Sequence, residues 1–251
     1  MVCELKDTYK AVKLFEGMED TAILSCLQKV MGKVYVTDPD RPRSAMAVVG
    51  CYVFYAGEPE SELVLNKPEG YVIMIPQHEG WEAMIEELIP RARKTVRYAL
   101  RKDTRFCRER LEAMAAAVPA GYELRRIDAE LYDQCAADPA LADLVCAFGS
   151  GKRYLSLGRG MAVVKDGRLV SGASSYSRCI EALEVQVDTL PAERRKGLAG
   201  IAAAALILAC LDEGLYPSWD AANISSLGLA KKLGYEFSHE YVGYELVDTG
   251  C

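Results

Sequence analysis

The sequence predicts a mixed α/β chain in two parts, an N-terminal α/β region over residues 1–120 and a second domain over 121–251. Three observations carry this. Short strand-like apolar runs alternate with stretches of helical period along the whole chain. Asp166-Gly167 sits between two such runs, a strong two-residue hairpin signal. After 121 the rhythm grows more regular, and the apolar run at 184–189 gives way to an alanine-rich helix.

The elements follow in order. Glu19, Asp20 and Thr21 open an apolar-periodic helix that reaches about residue 30 and closes at Gly32. Strands are expected at 33–37, 45–55, 61–65 and 71–75, divided by Pro, Gly and acidic clusters. A short helix over 81–88 stops at Pro90, an alternating strand covers 95–100, and a helix over 106–118 ends at Pro119-Ala120-Gly121. Beyond it come a strand at 122–127, a helix capped by Asp128, and a second helix from Asp138-Pro139 to Phe148. The hairpin strands are 160–165 and 168–176, and the next strand is 184–189. The alanine-rich helix runs from about 193 to Gly214; a short strand at 218–220, a helix over 223–233 and a final strand over 235–247 complete the chain. No internal repeat is visible.

Composition bounds the function. The formal charge of −6 argues against a nucleic-acid partner, which needs a basic face, and suits a cationic acceptor such as an amine. Nine cysteines without a C-x-x-C pair, and only His78 and His239, predict no metal site and reduced thiols in a cytoplasm. No basic-then-apolar leader opens the chain, and the longest apolar run, 201–211, is too short to span a bilayer, so no membrane partner is expected. Gly149-Ser150-Gly151-Lys152 falls short of a nucleotide loop, because Arg153 and Cys146 occupy positions that need Ser/Thr and Gly.

Chemistry concentrates at Arg194-Arg195-Lys196-Gly197-Leu198-Ala199. A strand feeds a helix there, and the first N–H groups of a helix have no intrahelical acceptor. With the positive end of the dipole they favour an anion. Gly197 lets backbone approach a phosphate, and Ala199 and Gly200 keep the next turn thin. By itself the segment also fits a solvated basic helix start.

The surroundings add a resemblance. The hairpin at Asp166-Gly167, the following strand, Pro191, the R-x-x-G-x-A loop and the later Asn223-x-x-Ser226…Leu233-Gly234-Tyr235 helix resemble the GNAT acetyltransferase superfamily over roughly 121–247. Trp219-Asp220-x-x-Asn223 and Leu229-Ala230-x-Lys232-Leu233-Gly234 look like its zwittermicin A resistance branch. The resemblance implies a mostly antiparallel twisted sheet flanked by helices, acetyl-CoA as co-substrate and a small-molecule amine as acceptor. Residues Arg194, Arg195, Lys196, Gly197, Leu198 and Ala199 would hold the pyrophosphate. Freed backbone groups of Val187 and Thr189 would bind pantetheine, one N–H also polarising the thioester carbonyl. Asn223, with Ser226 of the same motif, would contact the pantetheine arm, or Asn223 would cap its helix.

Acetyl transfer to an amine needs a base. Strand alternation puts Glu184, Gln186 and Asp188 on one face, making Glu184 the first candidate and Asp188 the second, although a solvent-facing strand gives the same pattern. The family's thiolate-protonating tyrosine falls at Ala230, so its general acid is missing here. Tyr244 is the substitute to test first, while Tyr235, Tyr241 and His239 are expected to pack or stay exposed. A catalytically weak acyl-CoA sensor or regulatory module is the rival reading. No peptide groove is recognisable, which favours a small molecule over a protein acceptor. The N-terminal region is expected to form a degenerate half of the same fold shaping the acceptor pocket, or to support a homodimer.

Overall fold

The computed structural model describes residues 1–247; Cys251 lies outside them. In chain order the strands are β1 (Cys3–Glu4), β2 (Lys33–Val36), β3 (Ser44–Val49), β4 (Tyr52–Gly57), β5 (Tyr71–Pro76), β6 (Arg93–Leu100) and β7 (Glu123–Arg126). They continue as β8 (Gly160–Lys165), β9 (Arg168–Arg178), β10 (Ala182–Thr189), β11 (Tyr216–Ser218), β12 (Asp220–Ala221) and β13 (Phe237–Val247). The helices are α1 (Thr21–Leu27), α2 (Ser61–Leu65), α3 (Glu79–Leu88), α4 (Arg108–Ala116), α5 (Ala129–Ala137), α6 (Gly151–Leu157), α7 (Leu198–Asp212) and α8 (Ile224–Leu233).

The chain packs as two units, one formed by Met1–Arg97 with the residues from Glu240 on, the other by Tyr98–His239. The break expected near Gly121 therefore falls at Arg97/Tyr98, and unit 1 is completed by the C-terminal strand. Tyr244 and Leu246 of β13 fill the unit 1 core beside Trp81, Tyr55 and Met74, which is why that strand belongs there.

Unit 1 has the strand order β1-β2-β3-β4-β5-β13-β6, antiparallel from β1 through β4 and parallel between β4 and β5. Two expected strands are corrected. The segment 45–55 is a hairpin, β3 and β4, turning at Gly50 with φ 56°. The segment 61–65 is the short helix α2, buried through Leu63 and Val64. Five residues show no decisive period, and a crossover to a parallel strand calls for a helix.

Unit 2 has the order β11-β10-β9-β8-β7, antiparallel except for the parallel pair β10–β11. Asp166 (φ 49°) and Gly167 (φ 76°) both turn left-handed, as a type I′ hairpin demands. Helix α7 is apolar all round and buried along most of its length, because it lies between α4 and strands β8, β9 and β10. Leu183, Val185, Leu198, Ala202 and Leu206 share its core. On the opposite face of the sheet, Leu131, Leu144, Phe148 and Tyr154 are buried. The helix expected over 138–148 is instead two 3-10 turns, at Ala142–Leu144 and Cys146–Phe148. Helix α6, not expected, starts at Gly151 behind the Ser150 cap.

The same order recurs in both units: antiparallel strands, a helix, then a parallel strand. In unit 1 it reads β3-β4-α2-β5, in unit 2 β9-β10-α7-β11. No sequence repeat announces it.

Candidate functional site

Strand β10 changes partners along its length. Ala182, Leu183 and Glu184 pair in parallel with Tyr216, Pro217 and Ser218, and there the β11 pairing stops. Pairing with β9 continues from Leu183 to Thr189, with a bulge between Glu184 and Val185. Residues 185–189 therefore have one edge that β11 has left. The N–H of Leu190 donates to Val170 O on the β9 side at 2.9 Å. Alternation then turns the backbone groups of Val187 and Thr189 towards the open edge. Arg194 Nε donates to Thr189 O at 3.2 Å, so that carbonyl is engaged from the loop.

The loop has the geometry of an anion cradle. After a 3-10 turn at Pro191–Glu193, Arg195 (φ 64°) and Gly197 (φ 80°) are left-handed. Gly197 caps α7, and its O accepts from the N–H of Gly200 (3.0 Å) and Ile201 (3.2 Å). The N–H groups of Leu198 and Ala199, ahead of these, have no intrahelical acceptor. A Cβ at Gly197 would meet nothing within 4 Å, so the space beside it is open. Arg194 and Arg195 are exposed. Lys196 points elsewhere, to Glu193 Oε2 at 2.7 Å and the Tyr122 hydroxyl at 3.3 Å.

The polar row of β10 faces away from α7. Gln186 Nε2 donates to Asp188 Oδ2 at 2.9 Å. Burial pushes the Asp188 carboxyl above its ordinary value, with the Asp143 charge adding to it and Gln186 and Arg194 opposing. Nearby Cys135 is a neutral thiol, pushed up to about 12 by burial. Glu184 is buried at the fork where β10 leaves β11, with Ser177 opposite on β9 and Ser218 opposite on β11. The two carboxylates stand four residues apart, about 13 Å along the strand. Asp143, on a 3-10 turn, carried no local signal of its place beside Asp188.

The remaining expected residues lie as follows. Asn223 caps α8, accepting from Ser226 N at 3.0 Å, while Ser226 Oγ accepts from Trp219 Nε1 at 3.1 Å. Ala230 is fully buried. The Tyr235 hydroxyl donates to Pro217 O at 2.6 Å, and complete burial raises its pKa well above the ordinary value. Tyr244 belongs to unit 1, where it is buried and donates to Glu86 Oε1 at 2.6 Å; burial and Glu86 push it up to about 12. Among the described residues no group of His, Cys, Asp and Glu is placed to hold a metal ion. None of their helices is long and apolar enough to cross a membrane.

The family model for GNAT acetyltransferases matches residues 12–244. The chain belongs to the GNAT acetyltransferase family. A GCN5-related N-acetyltransferase-like protein from Streptococcus suis, known as a crystal structure, is 39% identical with a TM-score of 0.91, over 95% of this chain and 98% of that one. An uncharacterized N-acetyltransferase of Bacillus subtilis, YdfB, is 33% identical over 129 residues, 51% of this chain and 49% of its own. The chain thus matches about half the length of that curated relative. A tandem GNAT protein from the clavulanic acid biosynthesis pathway shares the fold at TM-score 0.58 and 12% identity, over 100% of this chain and 99% of that one. The GNAT fold, with its mixed, mostly antiparallel sheets flanked by helices, is the one expected from the hairpin, the loop and the later Asn223 helix.

Proposed function

We propose that this chain transfers the acetyl group of acetyl-CoA to the amine of a small molecule by direct attack on the thioester. The observation that carries this is the open edge of β10 leading into the left-handed turn at Gly197. The pyrophosphate lies at the start of α7, held by backbone N–H groups of the 194–199 loop and by the Arg194 and Arg195 guanidinium groups. The pantetheine arm runs back along the edge presented by Val187 and Thr189, with Asn223 and Ser226 shaping the wall across from it. The thioester then falls towards the bulge at Glu184/Val185, where an edge N–H stabilises the oxygen as charge develops.

Glu184, at that end, takes the proton from the acceptor ammonium, and the neutral amine attacks the carbonyl carbon. The C–S bond breaks, leaving an amide and the CoA thiolate. With Ala230 where the family's tyrosine stands and Tyr244 held by Glu86, the thiolate takes its proton from water; a thiol pKa of about 8.5 allows this. Asp188 faces the same side as Glu184 and holds the cationic part of the acceptor. The signature from Trp219 to Gly234, which resembles the zwittermicin A resistance acetyltransferase branch, supports an amine-bearing antibiotic or metabolite as acceptor and a role in self-protection in the cytoplasm.

Unit 1 we read as a degenerate half of the fold. It repeats the strand order, but α2 has five residues against fifteen in α7. Its β4 also stays paired with β5 from Tyr52 to Tyr55, so no edge opens for an acyl donor. The buried Ala230 favours a second reading, an acyl-CoA-binding regulatory module. Incubation with acetyl-CoA and a panel of small amines, followed by free-thiol release, separates the two. Turnover on at least one amine, falling about 10²-fold or more in Glu184→Gln, supports the transferase. Tight acetyl-CoA binding without turnover on any amine supports the module.

A further inference from the structure

We propose that Lys196, although inside the anion-binding loop, is a strut that shapes the loop and not a ligand of the phosphates, with Glu193 and Tyr122 as its anchors. This rests on the reading of that loop as the acetyl-CoA site. Glu193 is the centre of the network. Its side chain is only 12% exposed, and Oε2 accepts from Lys196 Nζ at 2.7 Å and from the Tyr122 hydroxyl at 2.6 Å. Lys196 Nζ also lies 3.3 Å from that hydroxyl, and Lys165 Nζ stands 3.6 Å from Glu193 Oε1. Both ammonium groups stand near the Tyr122 ring, at 5.3 Å for Lys165 and 6.0 Å for Lys196. Tyr122 precedes β7 and Lys165 ends β8, so the loop is tied to the body of the sheet and not merely to itself.

The link from Glu193 to Lys196 closes over Arg194 and Arg195, and Arg195 is left-handed, a conformation that a residue with a Cβ resists. Such a turn persists where its surroundings impose it. Charge points the same way. Drawing Lys196 onto a phosphate would strip Glu193 of its closest cation and leave a carboxylate beside an incoming dianion. Left in place, the network keeps the Glu193 carboxylate compensated, and Arg194 and Arg195 remain the cations facing outward. Glu193 is held down to about 2 by Lys196 and Tyr122, so the network is intact across the physiological range.

The two roles predict opposite effects of Glu193→Gln. A strut role weakens acetyl-CoA binding about tenfold in Glu193→Gln, Tyr122→Phe and Lys196→Met alike, with the Glu193→Gln/Lys196→Met double variant no worse than either single one. Binding of acetyl-pantetheine, which lacks the pyrophosphate, stays unchanged, as does the melting temperature. Without any ligand, trypsin cuts after Arg194 and Arg195 faster in Glu193→Gln and Tyr122→Phe than in the wild type. A phosphate-ligand role would be established, and the proposal overturned, if Glu193→Gln bound acetyl-CoA as tightly as the wild type or tighter while Lys196→Met was weak. Unchanged trypsin cleavage in both variants would also overturn it. A wild-type chain that bound no acetyl-CoA at all would remove the functional reading, and this proposal with it.

Discussion

Asp188 and Glu184 share a face and differ in setting. Burial and Asp143 raise the pKa of Asp188, so the folded chain holds that proton more tightly than the unfolded chain. Its contribution is therefore favourable at low pH and is lost as pH climbs through the raised value. Asp188→Asn removes the cost of the charged form. The variant should melt above the wild type at pH 7, and the gap should close below about pH 4, the ordinary carboxylate range; melting curves over pH 3–8 would check this. A gap that widened towards acid would contradict the assignment. At this scale the sequence was partly legible. Alternation was enough to put Glu184, Gln186 and Asp188 on one face. It could not show that Lys196 turns away towards Glu193, because the partner Tyr122 lies far off in the chain. Nor could it show that Tyr244 is held by Glu86, for the same reason.

Among the elements, caps and turns were the most readable, since their residue types answer to backbone geometry. Asn223 and Asp128 each accept from the N–H three residues on, and Gly234 closes α8 at φ 109°; the Ser150 cap of α6 went unread. Asn223→Ala should cost about 1 kcal/mol in chemical denaturation. At Gly197 the added Cβ of Gly197→Ala meets open space, so the loss, about 1–2 kcal/mol, comes from the left-handed backbone alone. A much larger loss would mean that the turn is packed against something. Short apolar segments were the least readable. Residues 61–65 and 138–148 carry apolar residues compatible with strand or helix, and only the tertiary setting selects α2 and the 3-10 turns.

For the whole molecule, the consequential feature is that unit 1 is not continuous in sequence. Strand β13 supplies Tyr244 and Leu246 to its core and pairs Tyr244 with Met74. A fragment of residues 1–120, cut where the change of rhythm suggests a boundary, should lack a cooperative thermal transition by circular dichroism. A sharp transition in that fragment would contradict the division. Such a closure through a distant strand leaves no mark on local pattern, whereas unit 2 was legible because hairpin, loop and later helix come in a fixed order.

The central claim is that the open edge of β10 and the start of α7 receive acetyl-CoA. Hydrogen–deuterium exchange with and without acetyl-CoA tests it most directly, because the amides at issue, those of Val187, Thr189 and residues 195–199, point to the open edge or lie ahead of the first helical bonds. Protection concentrated on these amides is the predicted result. Protection confined to other segments, or none at saturating acetyl-CoA, would contradict it.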